Sequence, residues 1–169
     1  MTIQQLEQCI ALYGNDIYSF CVHLTRNKES ADDLYQDTFL EAMKKIKEIR
    51  YGENPKSYLL SIALRLWKNQ VRKTAWRNRI APQVGEEAAA GVLEWQDFSE
   101  YLTAEEEKRR LWKAIAQLSD GLRIPLLLYY MEELSIAEIS KLLSIPQGTV
   151  KSRLYHGRKQ LEKELEDDF

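Results

Sequence analysis

The chain has 169 residues, 44% of them hydrophobic and 30% charged, with four prolines, two cysteines and a formal net charge of −2. This composition fits a folded, soluble, helix-rich chain of one ordinary domain or two small ones and excludes a disulfide framework. No apolar run approaches the roughly 20 residues of a membrane span, and the opening MTIQQLEQCIALYG lacks the basic start and cleavage site of a signal peptide, so a cytoplasmic location is expected.

From Thr2 to Arg79 the pattern is helical throughout. Apolar residues recur at Ile3, Leu6, Ile10, Tyr13, Ile17, Phe20, Cys21 and Leu24 with a 3.6-residue rhythm. Cys21 and His23 stand two residues apart, but the only further soft ligands, Cys9 and His156, complete no zinc-like spacing, so buried thiols and no metal are expected. Asn27 suits the N-cap of a second helix, with Glu29, Asp32 and Asp33 where the helix dipole favours negative charge. That helix carries Ala31, Leu34, Tyr35, Thr38, Ala42, Ile46 and Ile49 on one side and ends at the turn Gly52-Glu53-Asn54-Pro55. A third helix starts near Lys56 and presents Tyr58, Leu59, Ile62, Ala63, Leu66 and Val71 on one face and basic residues on the other, with Trp76 beyond its end.

Charge is segregated along the chain. Arg50 to Arg79 holds eight basic residues and one acid, whereas Ile80 to Glu107 holds eight acids and no base. Within the acidic stretch, Pro82, Gly85 and Gly91 dissolve the helical pattern, which reads as a flexible linker over 80–102. Thr103 with Glu106 is a capping box that opens a helix carrying Leu111, Trp112, Ile115, Ala116 and Leu118. Ser119-Asp120-Gly121 ends it, and a short helix follows from Leu122 to Glu132 with Pro125 in its first turn.

Ser135-Ile136-Ala137-Glu138 is a further capping box. Its helix has an apolar face of Ile136, Ile139, Leu142 and Leu143, and Ser144-Ile145-Pro146 is a short turn. From Gln147 a last helix runs to about Glu166, with Val150, Leu154 and Leu161 as its core stripe. This is a helix-turn-helix, and Lys141 to Lys159 contains five basic residues and no acid. The major groove of duplex DNA admits such a helix. Gln147 suits adenine, Thr149 a phosphate or a thymine methyl, and Lys151 and Arg153 guanine acceptors, with Ser152, Tyr155, His156 and Arg158 on the same exposed faces.

The run IPQGTVKSRLYHGRKQL resembles region 4 of bacterial sigma factors, closest to the extracytoplasmic-function (ECF) group. Independently, HLTRNKESADDLYQDTFLEAMKKI resembles sigma region 2.2, and SYLLSIALRLWKNQVRK the segment after it that reads the −10 element. The resemblance covers essentially the whole chain except the linker. It implies an all-α protein of two small helical domains, 1–79 and 103–169, joined by the linker at 80–102. It also implies a non-enzymatic subunit without cofactor that binds core RNA polymerase, reads −10 and −35 promoter DNA, and is held inactive by an anti-sigma factor.

On this resemblance Asp32, Asp33, Leu34, Gln36, Asp37 and Phe39 face the polymerase, an acidic and apolar patch suited to a basic coiled coil; the alternative is that the acids only complement the helix dipole and Leu34 and Phe39 are core, which suits Leu34 best. Tyr58, Arg65, Lys68, Asn69, Arg72 and Lys73 contact the melted −10 strand. Tyr58 and Trp67 are each either base-stacking or core residues. Gln147, Thr149, Lys151, Ser152, Arg153, Tyr155, His156 and Arg158 contact the −35 duplex. The acidic linker resembles the family segment that lies near the path of nascent RNA. The chain departs from the family at Arg65, often Asn, and at Asn69, often Asp. It departs again at Ser119, often Pro, and at Ser144, where Gly, Asn or Asp is favoured. The other function the helix-turn-helix allows is a one-component transcriptional regulator acting without polymerase.

Overall fold

The computed structural model describes residues 1–50, 54–80 and 106–167. Seven α-helices and one π-helical turn, with no strand, make up these described residues, which is an all-α fold. The chain divides into two compact units, Met1–Glu94 and Trp95–Phe169. The expected linker (apart from Ile80), the Thr103 cap and the Gly52-Glu53 half of the first turn lie outside the described residues. No helix among the described residues is long and apolar enough to cross a membrane.

In the first unit α1 (Ile3–Thr25), α2 (Lys28–Lys44) and α3 (Pro55–Ile80) pack pairwise into a bundle. Thr2 caps α1 through a reciprocal pair, its hydroxyl accepting from the Gln5 N–H and its own N–H donating to Gln5 Oε1. Leu6, Cys9, Ile17, Phe20, Cys21 and Leu24 are buried, so both thiols belong to the core. Ile3 and Ile10 do not follow the expected stripe and are 64% and 40% exposed. The inward line of α1 passes through Leu6, Cys9 and Ile17; Ile10 falls within the same arc of the helix yet is left uncovered, and Ile3 lies in the first turn. Gly14 also lies on this line, and a Cβ there would stand 3.1 Å from the Tyr35 hydroxyl.

Asn27 caps α2 by accepting from the Ser30 N–H at 2.9 Å. The helix stops at Lys44 and does not run on to the Gly52 turn. Residues 45–48 form tight turns closed by bonds of i→i+3 type, such as Glu48 N–H to the Lys45 carbonyl at 2.8 Å. Ile49 therefore reaches the core from a turn, and its carbonyl accepts from the Met1 ammonium at 2.8 Å. Asn54 accepts from the Ser57 N–H at 3.2 Å, which places Pro55 in the first helical position of α3, where its missing N–H costs nothing. Leu59, Leu60, Ile62, Ala63, Leu64 and Trp67 of α3 are buried. Beyond Trp67 the same helix continues to Ile80 with almost every side chain exposed, and Trp76 is part of it, not beyond its end.

The second unit contains α4 (Glu106–Gln117), α5 (Asp120–Leu126), the π turn Leu127–Met131, α6 (Ile136–Leu143) and α7 (Gln147–Asp167), with α7 packed on α4, α5 and α6. Its core is built from Ala114, Leu118, Ile124, Leu126, Leu127, Leu128, Leu134, Ile139, Val150 and Leu154. The helix expected from Leu122 begins at Asp120, because Ser119 and not Gly121 is the N-cap. Pro125 consequently sits past the first turn, inside the helix, and removes one backbone donor from it. Directly after it the winding loosens to i→i+5, with the Glu132 N–H on the Leu127 carbonyl at 3.1 Å.

The capping box of α6 is complete, the Glu138 N–H donating to Ser135 Oγ at 3.1 Å and the Ser135 N–H to Glu138 Oε2 at 2.8 Å. Ser144 ends α6 in the left-handed region at φ 56°, where a side chain costs about 1–2 kcal/mol and glycine costs nothing. This is the physical reason for the family's preference at that position. Ser144→Gly should stabilise the second unit by about 0.5–1 kcal/mol, net of the larger unfolded-state entropy of glycine. Thermal unfolding followed by circular dichroism checks this; an unchanged or lowered midpoint refutes it.

Candidate functional site

In the helix-turn-helix, Ser140 locks the turn by donating from Oγ to the Ile145 carbonyl at 2.5 Å, and Ile145 itself is half-buried between the helices. Val150, Leu154 and Gly157 are the buried line of α7. At 3.6 residues per turn the opposite side carries Gly148, Ser152, Tyr155 and Lys159. Gln147, Lys151 and Arg158 lie on one flank, with Thr149 and Arg153 on the other. Gln147, Lys151, Ser152, Tyr155, His156 and Arg158 are exposed, while Thr149 and Arg153 are half-buried. All eight expected residues thus lie off the core line and on a single helix. Two cations of α7 are already engaged: Lys159 pairs with Glu162 at 3.3 Å and lies 5.8 Å from the Tyr155 ring centre. Arg158 donates from Nη1 to the Tyr130 hydroxyl at 2.8 Å.

On α3 the expected basic face is present. Tyr58, Arg65, Asn69, Arg72 and Trp76 are spaced by seven, four, three and four residues, a single stripe along the helix. Arg65, Asn69, Arg72 and Lys73 are exposed, and Tyr58 and Lys68 half-buried. The choice left open at Trp67 resolves to core, since only 8% of it is exposed, whereas Trp76 at the far end of the stripe is 64% exposed. No acidic residue occurs between Arg65 and Ile80, so the helix end is uniformly positive.

Arg65 is not free. Its Nη2 lies 3.1 Å from Glu41 Oε1, joining α3 to α2, and Glu41 also faces Lys45 at 3.6 Å. The hydrogen bond from Arg65 holds the Glu41 carboxyl below the usual range against the opposing effect of its partial burial, and the charges of Lys45, Arg65 and Lys44 add to the lowering. Glu41 carries no signal in the sequence pattern, because its partner is 24 residues away.

The six residues expected on the docking face of α2 separate into two sets. Leu34 is fully buried and Phe39 nearly so, the latter against the Tyr35 ring at 4.9 Å, so both serve the bundle and present nothing outward. Asp32 is half-buried and accepts from the Tyr18 hydroxyl at 2.7 Å, which ties α2 to α1. Asp33, Gln36 and Asp37 are exposed. The helix then continues the same face with Leu40 and Met43, 54% and 53% exposed. Sequence reasoning missed these two, although the progression 33, 36, 37, 40, 43 has the helical period. The outward face is therefore acidic at one end and apolar at the other.

A family model for Sigma-70 region 2 matches residues 9–77, and one for Sigma-70 region 4 matches residues 108–161. The ECF RNA polymerase sigma factor SigW of Bacillus subtilis is 30% identical over 167 residues, spanning 94% of this chain and 87% of that protein. SigM of the same organism is 30% identical over 162 residues, spanning 96% and 94%. Among solved structures, the sigma factor RpoE of Bartonella quintana, in complex with the anti-sigma factor NepR, has a similar fold. Its TM-score is 0.80 at 22% identity, covering 99% of this chain and 100% of that one.

Proposed function

Because the chain belongs to the sigma-70 family of RNA polymerase sigma factors, we propose that it is an ECF-type sigma factor, one that binds core polymerase, recognises −10 and −35 promoter elements and directs initiation. The observation that carries this reading is the pairing of two motifs in one chain, the region 2 and region 4 matches, each on its own helical unit. A regulator using the same helix-turn-helix without polymerase has no need of the region 2 unit, and that reading is disfavoured.

In the proposed mechanism the outward face of α2, Asp33, Gln36 and Asp37 with Leu40 and Met43, docks on the polymerase. Asp32, Leu34 and Phe39 hold that face in place from within the bundle. The stripe of α3 tracks the −10 strand, its cations meeting phosphates and its exposed aromatic offering a face on which a base can stack. Arg65 cannot offer an amide donor–acceptor pair to a base, and its ion pair with Glu41 favours a positioning or phosphate role. The helix α7 enters the major groove at −35. The reaction chemistry belongs to the polymerase, and the chain itself acts by binding in the cytoplasm where that enzyme works. An anti-sigma factor is the expected regulator, by analogy with the RpoE–NepR complex.

Run-off transcription with purified chain and core polymerase, on a template library selected by the assembled holoenzyme, tests the reading. Discrete transcripts that require both proteins are expected; sequence-specific DNA binding without such transcripts overturns it. On a selected promoter, Arg153→Ala should weaken recognition by roughly 1–3 kcal/mol if the guanidinium reads a base. The loss should then be confined to one position of the −35 element. An equal loss on every sequence would reassign Arg153 to the phosphate backbone.

A further inference from the structure

Tyr130 lies outside the helix-turn-helix, in the loosened turn that follows Pro125, and the proposed promoter contacts make no use of it. Three observations converge on it. First, its side chain is 55% exposed although aromatic, and it packs edge-on against Tyr129 with ring centres 4.9 Å apart. Second, its hydroxyl accepts from Arg158 Nη1 at 2.8 Å across 28 residues of sequence. Third, α7 comes unusually close to α5 at the residue before Arg158. A Cβ on Gly157 would stand 2.8 Å from Leu126 Cδ1. Pro125 is thus followed by a π turn that carries Tyr130, and Gly157 brings Arg158 within its reach.

The chemistry of the partner matters. Lys159 is paired directly with Glu162, whereas the hydrogen bond that holds Arg158 is made to a phenol hydroxyl, and Glu162 acts on Arg158 only through its field. Only one of the five guanidinium N–H groups is used. The phenol oxygen accepts that bond, which leaves its own O–H to donate outward. A long arginine is otherwise costly to order. Here the side chain is already fixed on one lateral flank of α7, where it is exposed.

We propose that Tyr130 and Arg158 form a composite phosphate clamp, a preformed two-point site for one phosphodiester of duplex DNA flanking the −35 element. It rests on the assignment of α7 to the −35 duplex. Arg158 supplies charge and parallel donors, and Tyr130 supplies one further donor and sets the position of the guanidinium. The clamp anchors the register of α7 and reads no sequence.

A double-mutant cycle in the full chain, assembled with core polymerase, tests it. The probe is a fluorescein-labelled duplex carrying the −35 element of a promoter selected as above, titrated at several KCl concentrations. Tyr130→Phe should weaken binding about 3–10-fold on matched and scrambled −35 sequences alike, with an unchanged melting midpoint. Arg158→Ala should lower the slope of log K against log salt by about 1, the release of one phosphate's counterion. In the Arg158→Ala background Tyr130→Phe should cost clearly less than it does in the parent, because only its own donor, and no longer the placing of the guanidinium, is lost. Additive losses, or a Tyr130→Phe protein that binds as tightly as the parent, overturn the clamp. If the parent protein does not prefer the matched −35 duplex over the scrambled one, it is the −35 assignment that fails, a result separable from failure of the clamp alone.

Discussion

Reversing the two outward carboxylates of α2 together, Asp33→Arg with Asp37→Arg, is expected to lower affinity for core polymerase by about 100-fold or more. Promoter-specific transcription should be lost and the fold kept. Both residues are exposed, and surface substitutions away from the core change stability by only about 0.5 kcal/mol. Placed against a basic partner, however, each reversal turns an attraction into a like-charge contact. Such juxtaposition costs several kcal/mol, and about 3 kcal/mol corresponds to that factor. Co-elution with core polymerase on gel filtration, beside a thermal melt of the free chain, gives both readouts. A reversed variant that assembles and transcribes normally rules out the docking face. Leu34→Ala is the informative contrast. It too should depress activity, but through a core loss of about 2–5 kcal/mol that the melt reports directly.

Gly157→Val should destabilise the second unit by about 2–3 kcal/mol, although it replaces glycine inside a helix. In an open helix the removal of glycine gains up to about 1 kcal/mol. Here the first added carbon already meets Leu126, with Cδ1 at 2.8 Å and Cγ at 3.2 Å. Leu126 is buried in turn, so any shift of its side chain has to be taken up by its core neighbours. For alanine the clash and the propensity gain nearly offset, and Gly157→Ala should stay within about 1 kcal/mol of the parent. Valine adds two methyl groups to the same contact, and overpacking of this kind costs about 1–3 kcal/mol. Amide exchange at Leu154 in native buffer reports the stability of this unit specifically. Unchanged protection in the valine variant would show that α5 and α7 separate freely at this point.

The parts of this fold written in local chemistry were legible in the sequence. Asn27 and the Ser135–Glu138 box stand at helix starts because a side-chain oxygen must satisfy the first free N–H groups. The stripe Val150–Leu154 identified the inward side of α7 for the same reason of period. What the sequence could not show are features set by a distant partner. Ile3 and Ile10 fit the apolar rhythm of α1 as well as Leu6 does, and only the position of α2 and α3 decides which are covered. Gly157 has no side chain to enter a pattern, and its role exists only because Leu126 lies opposite. Arg65 looked like a free cation until Glu41 came within reach. On α2 the period places Asp33 and Asp37 on one face, and both are exposed. It does not decide between Phe39 and Leu40, because two adjacent apolar residues on a helix leave their order of burial to the packing.

The long end of α3 past Trp67 has a consequence for how it stays helical. From Lys68 to Ile80 it extends about 20 Å at 1.5 Å per residue, a length that as a separate peptide would be mostly coil. It is a cantilever: the turns packed in the bundle supply the nucleus, and the exposed turns only propagate it. Five cations crowd this end, Lys68, Arg72, Lys73, Arg77 and Arg79, and their mutual repulsion works against propagation. Arg77 and Arg79 offset part of that, since they stand in the last turn, where the helix dipole is negative. A polyanion laid along the stripe would remove the repulsion altogether. Promoter DNA would then act on this segment as a counterion that completes the helix, so that part of the binding energy is spent on stiffening the very element that binds.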